Sequence, residues 1–249
     1  MKSPLSLAVA AAVVSTGAAA FEQTIPVTAE TEAISVTLWS GSIKVVPGST
    51  GALIISGECD APPPPAPRDD GLRVVGAQIT TPEIVSDDDE ISIRTRENSS
   101  ACALELTAPD SIAIEMRVFT DGAVSIRDWQ AAVTAWSASG DVVVENQSAT
   151  FSVAAMSGTA TVSLAPGAPA GESAVLSAGG PLNLFVAEGA LPNLRAQARW
   201  GDVLTDLNAS FEATDDGEGR WLTPDANADG PVLSLRSLDD DIIIRRRTQ

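Results

Sequence analysis

Few residues in this chain have side chains that commonly carry out chemistry. The 249 residues include no His and no Tyr, and Lys44 is the only lysine apart from Lys2. Histidine is the commonest general base and metal ligand in proteins, so its absence removes the usual centre of both kinds of site. The remaining candidates are a surplus of carboxylates, five tryptophans and two cysteines. Each of these sets predicts a different kind of site.

The carboxylates do not form a recognisable catalytic or metal site. Consecutive acidic residues occur four times, and calcium binds such oxygen ligands, but none has EF-hand spacing and the Gly-rich calcium repeat is absent. The clusters are Asp69-Asp70, Asp87–Asp89, Asp215-Asp216 and Asp239–Asp241. Solvated acidic loops are the favoured interpretation, with calcium binding as the alternative. For glycoside hydrolysis the candidate pair is Glu145 and Asp206, which match only loosely within the repeat described below. We therefore expect a protein that is not an enzyme and needs no cofactor.

The tryptophans could stack on sugar rings, because an indole presents a large apolar face to solvent. Trp136 points outward if its neighbours at 133 and 135 point inward, and Trp129 falls in a turn. These two are the candidate carbohydrate contacts. The five tryptophans differ in their position relative to nearby glycines, so the alternative is that they act as separate caps and edge covers. The set is Trp39, Trp129, Trp136, Trp200 and Trp221.

The first twenty residues predict a secretory signal peptide. Lys2 supplies the positive start, residues 5–14 are apolar, and Ala18-Ala19-Ala20 fits a cleavage site. The apolar run is too short to span a bilayer and no later stretch is long enough, so we expect an exported chain, 21–249, without a transmembrane segment. The exported chain would be periplasmic or extracellular, for example at the cell surface. Loss of Lys2 changes the formal net charge from −18 to −19, which repels nucleic acid and argues against such partners.

The two cysteines, Cys59 and Cys102, predict a disulfide if the chain is exported to an oxidising compartment. The closed loop would hold about 44 residues and stabilise the fold by roughly 4 kcal/mol in the loop-entropy model. The alternative is two separate buried thiols. The loop includes a proline-rich insertion, 61–70, which is either a surface loop or a ligand for aromatic-lined grooves.

These residues must be positioned by a repeat that is clearest over 116–165. Three glycines there are 18 residues apart, twice in succession, and each is followed by alternating apolar residues. Similar turns recur elsewhere, which is typical of repeat architectures. We expect glycine at these turns because it adopts positive φ easily and a neighbouring Ser or Asp can bond the turn's own backbone. The turn glycines are Gly41, Gly122, Gly140, Gly158, Gly180 and Gly201.

Alignment on these glycines predicts two interior columns of apolar side chains. Positions two and four residues after each glycine are apolar in eleven of twelve cases, and period-2 alternation places both on one face of a strand. The first column is Ile43, Val124, Val142, Ala160, Leu182 and Val203; the second is Val45, Ile126, Val144, Val162, Leu184 and Thr205. No window outside residues 1–20 has helical periodicity, so the fold is expected to be all-β, with coils of 18–22 residues that are most regular over 110–210.

The C-terminal part continues the pattern less clearly. Residues 212–230 are polar and aperiodic, which predicts a loop. Two further strands follow, separated by a turn at 237–242 that is a degenerate copy of the Ser-Gly-Asp turn. Arg245-Arg246-Arg247 are expected to cap an exposed last coil, where charge discourages edge-to-edge pairing.

The recurring Ser-Gly-Asp-Val pattern resembles that of the bacterial, adhesin-like DUF4097 family. The matching segments are 40–43, 139–142, 157–159 and 200–203, and the resemblance extends over most of residues 30–246. It implies a right-handed, single-stranded parallel β-solenoid, one domain over 21–249, and no shared catalytic residues. The expected function is a binding, adhesin-like or scaffold surface in the cell envelope with a protein or glycan partner. The alternative is a carbohydrate-binding or carbohydrate-active solenoid.

Overall fold

A computed structural model describes most of the chain from residue 19 onward. The described residues are 19–48, 51–60, 81–87, 89–97, 99–167, 169, 171–187, 193–207, 211–215, 220–224 and 232–247. They form strands and turns without a helix, so the all-β expectation is confirmed for this part of the chain. Most of the expected signal peptide and the whole proline-rich insertion, 61–70, lie outside the described residues.

The structure contains the following strands in chain order: β1 (Ala19–Pro26), β2 (Ala33–Leu38), β3 (Gly41–Pro47), β4 (Ala52–Cys59), β5 (Glu83–Ser86), β6 (Glu90–Arg94), β7 (Cys102–Ala108), β8 (Ala113–Val118), β9 (Val124–Arg127), β10 (Val133–Ser137), β11 (Val142–Gln147), β12 (Phe151–Ala155), β13 (Ala160–Leu164), β14 (Ser173–Ser177), β15 (Leu182–Val186), β16 (Asn193–Ala198), β17 (Val203–Thr205), β18 (Phe211–Asp215), β19 (Arg220–Pro224), β20 (Val232–Ser237) and β21 (Ile242–Arg246).

The strands form two mostly parallel sheets. Sheet A has the order β1-β4-β7-β3-β9-β11-β13-β15-β21-β17, and sheet B has the order β18-β19-β16-β20-β14-β12-β10-β8-β2-β6-β5. From β6 to β17, successive strands of the chain alternate between the sheets, and so do the pairs β2–β3 and β20–β21. Each such pair, here called a coil, contributes one strand to each sheet. The inner faces of the two sheets bury a single apolar core.

The core consists of the columns expected from the repeat. Val124 pairs with Val142, and Val142 pairs with Ala160, in register and in parallel. On the other sheet, Val133 pairs with Phe151 in the same way. Alternation along each strand then buries every second side chain, because successive side chains of a strand point to opposite faces. The interior columns are therefore confirmed in this central region.

The order of the coils in space differs from their order in the chain at both ends. The coil β2–β3 lies between β6–β7 and β8–β9. The coil β20–β21 lies between β14–β15 and β16–β17, so Leu182 and Val203 both pair with Ile242. The order of the interior columns expected from the alignment, in which Val203 follows Leu182, is therefore wrong at this point. The expectation that Arg245–Arg247 cap the last coil is also wrong, because β21 is an internal strand.

Antiparallel strands extend both sheets beyond the parallel coils. At one end, β4 pairs with β7 and β1 pairs with β4, while β5 pairs with β6. At the other end, β19 pairs with β16 and β18 pairs with β19. The loop expected over 212–230 is thus wrong at 212–215 and 220–224, which belong to these strands. The added strands cover edges of the parallel stack that would otherwise offer unpaired backbone groups.

The predicted disulfide is present. Cys59 and Cys102 are bonded at an S–S distance of 2.07 Å and are direct partners in the β4–β7 register. Both side chains are buried, and no cysteine is free. The bond links the antiparallel strand β4 to β7, which belongs to the outermost parallel coil at that end. The alternative of two separate buried thiols is therefore wrong.

Candidate binding surface on the outer face of sheet B

The turn glycines form a column in which one backbone lies directly on the next. A Cβ added to Gly140 would lie 1.9 Å from the carbonyl O of Gly122, and one added to Gly158 would lie 2.4 Å from that of Gly140. Gly180 and Gly201 show the same close approach, to the backbones of Gly158 and Asp240 respectively. No side chain fits at these positions, so the column brings neighbouring turns into contact.

The expected reason for these glycines, a positive φ, holds at only part of the column. Gly41 has φ 114° and Gly122 has φ 155°, whereas the other four are not in the positive-φ region. Close approach of the backbone explains all six. Gly41 also faces the backbone of Cys102, because a Cβ added to Gly41 would lie 2.0 Å from the Cys102 carbonyl O. Gly41 is therefore required both for its positive φ and for this close approach.

Buried serines, which the sequence analysis did not identify, hold the turns together. The Ser137 hydroxyl donates to the carbonyl O of Gly122 at 2.7 Å and accepts the N–H of Gly140 at 3.0 Å. Ser177, on a later coil, lies against the carbonyl oxygens of Gly158 and Gly180 in the same manner. A Ser three residues before the glycine is the signal that could have identified them.

The Asp of the Ser-Gly-Asp turn bonds the next coil rather than its own turn. Asp141 Oδ1 accepts the N–H of Thr159 at 2.8 Å, and Asp241 Oδ1 accepts the N–H of Asp202 at 2.8 Å. These carboxylates satisfy backbone donors between coils. Among the described residues, no group of three or more His, Cys, Asp or Glu is arranged to hold a metal ion.

The candidate carboxylate pair is too widely separated for glycoside hydrolysis. Glu145 and Asp206 lie at equivalent levels of sheet A, but β13, β15 and β21 stand between their strands. Four spacings of about 4.8 Å give roughly 19 Å, well beyond the ~5–9.5 Å between catalytic carboxylates. Glu145 instead pairs with Arg127 at 2.6 Å, and Asp206 accepts the N–H of Arg246 at 2.7 Å.

The outer face of sheet B is uncharged over its central strands. On β10, β12 and β14, and at the residue after each, nine side chains alternate with the buried ones and point away from the core. We call this set the neutral face. Its members are Thr134, Trp136, Ala138, Ser152, Ala154, Met156, Ala174, Leu176 and Ala178. This absence of charged side chains contrasts with the formal net charge of −18 of the chain.

An aromatic row runs along one edge of the neutral face and includes one of its members, Trp136. The rings of Trp39 and Phe119 are stacked, with centroids 6.4 Å apart, and those of Phe119 and Trp136 are tilted, with centroids 5.3 Å apart. Phe119 is 44% exposed and both tryptophans are partly exposed. The insertion of β2 beside β8 brings Trp39 and Phe119 together, because Phe119 N–H donates to the Leu38 carbonyl at 3.0 Å. Neither Phe119 nor its contact with Trp39 was predicted from the sequence.

Apolar side chains continue the aromatic row along the stack of coils. Met156 and Leu238 are exposed at equivalent positions of later coils, and each backbone N–H is bonded to the coil before it. Trp200, 72% exposed, lies at the far end with the guanidinium carbon of Arg199 5.5 Å from its ring centroid. From Trp39 to Trp200 the line crosses six strand spacings, or roughly 29 Å at about 4.8 Å each.

Of the two predicted carbohydrate contacts, the structure places only Trp136 on this surface. Trp129 is 0% exposed, and its Nε1 donates to the carbonyl O of Ile112 at 2.8 Å. The turn that contains it faces the core, so this candidate is wrong. Trp129 is instead the largest of the fully buried side chains.

Charge returns on either side of the neutral face and on the opposite sheet. On β8, Arg117 forms an ion pair with Glu115. The outer face of sheet A carries further pairs, Lys44–Glu105 at 3.1 Å and Arg127–Glu145 at 2.6 Å. The outer face of sheet A is also uncharged at several adjacent positions, among them Val143, Thr161, Asn183 and Ile243. Within the described residues, the ring-to-ring contacts lie on sheet B alone. No helix within the described ranges is long and apolar enough to cross a membrane.

These features define an all-β protein of two mostly parallel sheets with one uncharged, partly aromatic outer face. A candidate cell adhesion protein from Clostridium sporogenes is similar in structure, with a TM-score of 0.51, 11% identity, and coverage of 92% of this chain and 100% of that one. A candidate adhesin from Bacteroides fragilis covers 92% and 97%, with a TM-score of 0.38 and 11% identity. At this identity the first likeness shows a shared fold alone. No protein-family model and no curated protein matches the chain.

Proposed function

We propose that this chain is an exported, non-enzymatic, adhesin-like protein that binds a partner in the cell envelope through the outer face of sheet B. The observation that carries the proposal is the neutral face together with its partly exposed aromatic row. In an acidic protein, an exposed apolar region bordered by polar residues is typical of an interaction site, because its exposure to water is otherwise unfavourable. The name of the Clostridium sporogenes neighbour agrees with this role.

The proposal includes the finer features expected from the sequence. We assign the chain to a DUF4097-like, right-handed β-solenoid with coils of 18–22 residues, supported by the in-register columns at Val124, Val142 and Ala160. Residues 1–20 act as a signal peptide, and the disulfide supports an oxidising, extracytoplasmic location. The strongly negative charge argues against a nucleic-acid partner.

A carbohydrate-binding role is the second candidate, and one observation favours it. Phe119 fills the gap between Trp39 and Trp136, so the tryptophans form part of a continuous row rather than isolated covers. A carbohydrate-active role has no comparable support, since Glu145 and Asp206 are far apart and each has another partner. The two candidate functions therefore use the same surface and differ only in the class of ligand that it binds.

The test is binding of the labelled exported chain to isolated cell envelopes, with a charge introduced on each outer face in turn. Ala154→Glu places a carboxylate in the centre of the neutral face. Ser125→Glu, its matched control, places one on the outer face of sheet A, beside Lys44 in the β3–β9 register. We expect at least a tenfold loss of envelope binding for Ala154→Glu and little change for Ser125→Glu. Equal binding by the two variants would exclude the neutral face as the binding surface.

A further inference from the structure

We propose that the ligand of this surface is an uncharged polysaccharide chain, which lies along the aromatic row and crosses the coils of the stack. The inference rests on the proposed binding function and names the ligand class for it. Three observations carry it: the dimensions of the surface, the chemistry of its side chains and the absence of charge.

The dimensions fit a narrow chain better than a folded protein. The line from Trp39 to Trp200 is roughly 29 Å long, and the outward residues of one strand span about 13 Å at ~3.3 Å per residue. Their product, roughly 400 Å², is the area of a strip that contains the neutral face and extends over β8 and β2 on one side and β20 and β16 on the other. A standard protein interface buries about 800 Å² on each partner, so a second copy of this chain or another globular protein would have to extend well beyond the neutral face into charged surface.

The side chains offer what a sugar chain requires. A pyranose ring exposes C–H bonds on its faces, and these pack against the electron-rich face of an aromatic ring. Trp39, Phe119 and Trp136 provide three such rings with neighbouring centroids 6.4 and 5.3 Å apart. Beside them, the hydroxyls of Thr134 and Ser152 point outward from adjacent strands and can exchange hydrogen bonds with sugar hydroxyls.

The charge distribution selects an uncharged ligand. The neutral face offers no cation to an anionic glycan. Arg117 at its border is paired with Glu115, and Arg199 lies over Trp200 only at the far end of the row. The net charge of −18 also repels a polyanion at long range. Conversely, the neutral face has no carboxylate with which to bind a basic peptide. Electrostatic complementarity therefore favours a neutral polymer rich in hydroxyl groups.

The experiment measures binding of the purified protein to neutral polysaccharides by affinity electrophoresis and by the change in tryptophan fluorescence. The probes are dextran, soluble starch and galactomannan, with polygalacturonate as the anionic comparison and phosphatidylcholine vesicles as the membrane comparison. We expect one or more neutral polymers to slow the migration of the protein in the gel and to quench its tryptophan fluorescence. Binding by Trp136→Ala and by Phe119→Ala should be at least tenfold weaker. Leu204→Ala, an exposed apolar residue on sheet A, is the matched control and should bind as the unchanged protein does.

Phe119 is largely outside the core, so its variant is expected to fold, and circular dichroism checks this. Absence of binding to every neutral polymer, tighter binding to polygalacturonate, or binding to the vesicles alone would overturn the ligand class. Polysaccharide binding that persists in both aromatic variants would overturn the site. If the ligand class fails while Ala154→Glu still loses envelope binding, the proposed function stands without this inference. If envelope binding is unaffected by Ala154→Glu, the proposed function itself fails.

Discussion

The glycine column makes a strong prediction for the substitution Gly140→Ala. The added Cβ would lie 1.9 Å from the carbonyl O of Gly122 and 2.4 Å from its carbonyl C. Carbon atoms at van der Waals contact are about 3.5–4.0 Å apart, so the two coils must separate by more than 1 Å at this turn. The obstacle is the backbone of the turn that leads into β9, and it cannot rotate away as a side chain would.

The magnitude follows from what this separation disrupts. Overpacking of a tight site costs about 1–3 kcal/mol. Ser137 bridges the same two turns through bonds of 2.7 and 3.0 Å, each worth about 1 kcal/mol net. We therefore expect Gly140→Ala to lower the free energy of unfolding by about 3–5 kcal/mol. For a chain of this size, about 2–4 °C per kcal/mol corresponds to a fall in Tm of roughly 6–20 °C.

The assay is urea denaturation monitored by both far-UV circular dichroism and tryptophan fluorescence, since stacked coils can unfold in parts. The matched control is Gly51→Ala. A Cβ on Gly51 meets only the carbonyl O of Val27, at 3.6 Å, and its φ is not in the positive region. Its substitution should change stability by less than about 1 kcal/mol. If Gly140→Ala destabilises the protein no more than Gly51→Ala, neighbouring turns are not in the contact that the column requires.

Three further predictions concern the core, the disulfide and the order of coils. Trp129→Phe removes the donor to the buried Ile112 carbonyl and should cost about 1–3 kcal/mol in urea unfolding, whereas Trp200→Phe, at an exposed site, should be nearly neutral. Thiol titration should find no reactive thiol until the protein is unfolded and reduced, and reduction should lower stability by roughly 4 kcal/mol; free thiols in the native protein would contradict the disulfide. In hydrogen exchange, amides of β21 should be protected as strongly as those of β13, because β21 is internal; protection as weak as that of the edge strand β17 would contradict the insertion.

Local patterns in the sequence were sufficient to predict how each coil is built. Alternation places Val142 and Val144 on one face of a strand, and the spacing of the glycines sets the register with Ala160 and Val162. Both depend on residues close together in the chain. The pairing of Cys59 with Cys102 was also predictable, because two cysteines allow only one intramolecular bond.

The order of the coils could not be predicted in the same way. Every coil presents a glycine or an equivalent residue at the turn and two apolar positions inside, so each is able to stack on any other. Ile242, for example, pairs with both Leu182 and Val203, and all three are apolar residues at the same position of their coils. A repeat pattern specifies the shape of each coil. Which coils become neighbours depends on contacts between segments distant in the chain, and periodicity contains no information about those contacts.

The aromatic row had a signal in the sequence that the tryptophan pattern did not reveal. Outward apolar residues stand two positions before the turn glycine in several coils, as at Trp39, Ala138 and Met156. The coil of Phe119 has one extra residue before Gly122, which shifts that side chain out of the alignment. The tryptophans alone therefore form no ladder in the sequence, although these positions lie beside one another on neighbouring coils of the structure.

The inserted coils link the candidate site to the completion of folding. Trp39 contacts Phe119 only when β2 takes its place beside β8, and Leu238 continues the line only when β20 lies between β14 and β16. A chain stacked in simple sequence order would bury much of the same apolar surface but would leave the line interrupted at both ends. Burial alone thus gives little preference between the two arrangements, and the specific order must come from the disulfide-bonded β4–β7 pairing at one end and the β16–β19 pairing at the other. Strands β4 and β19 occupy the outer edges of β7 and β16. The coils β2–β3 and β20–β21 can therefore pair only with the inner edges of the coils that contain β7 and β16. The end strands therefore help to determine whether the aromatic row is continuous, and they also protect the edges of the sheets.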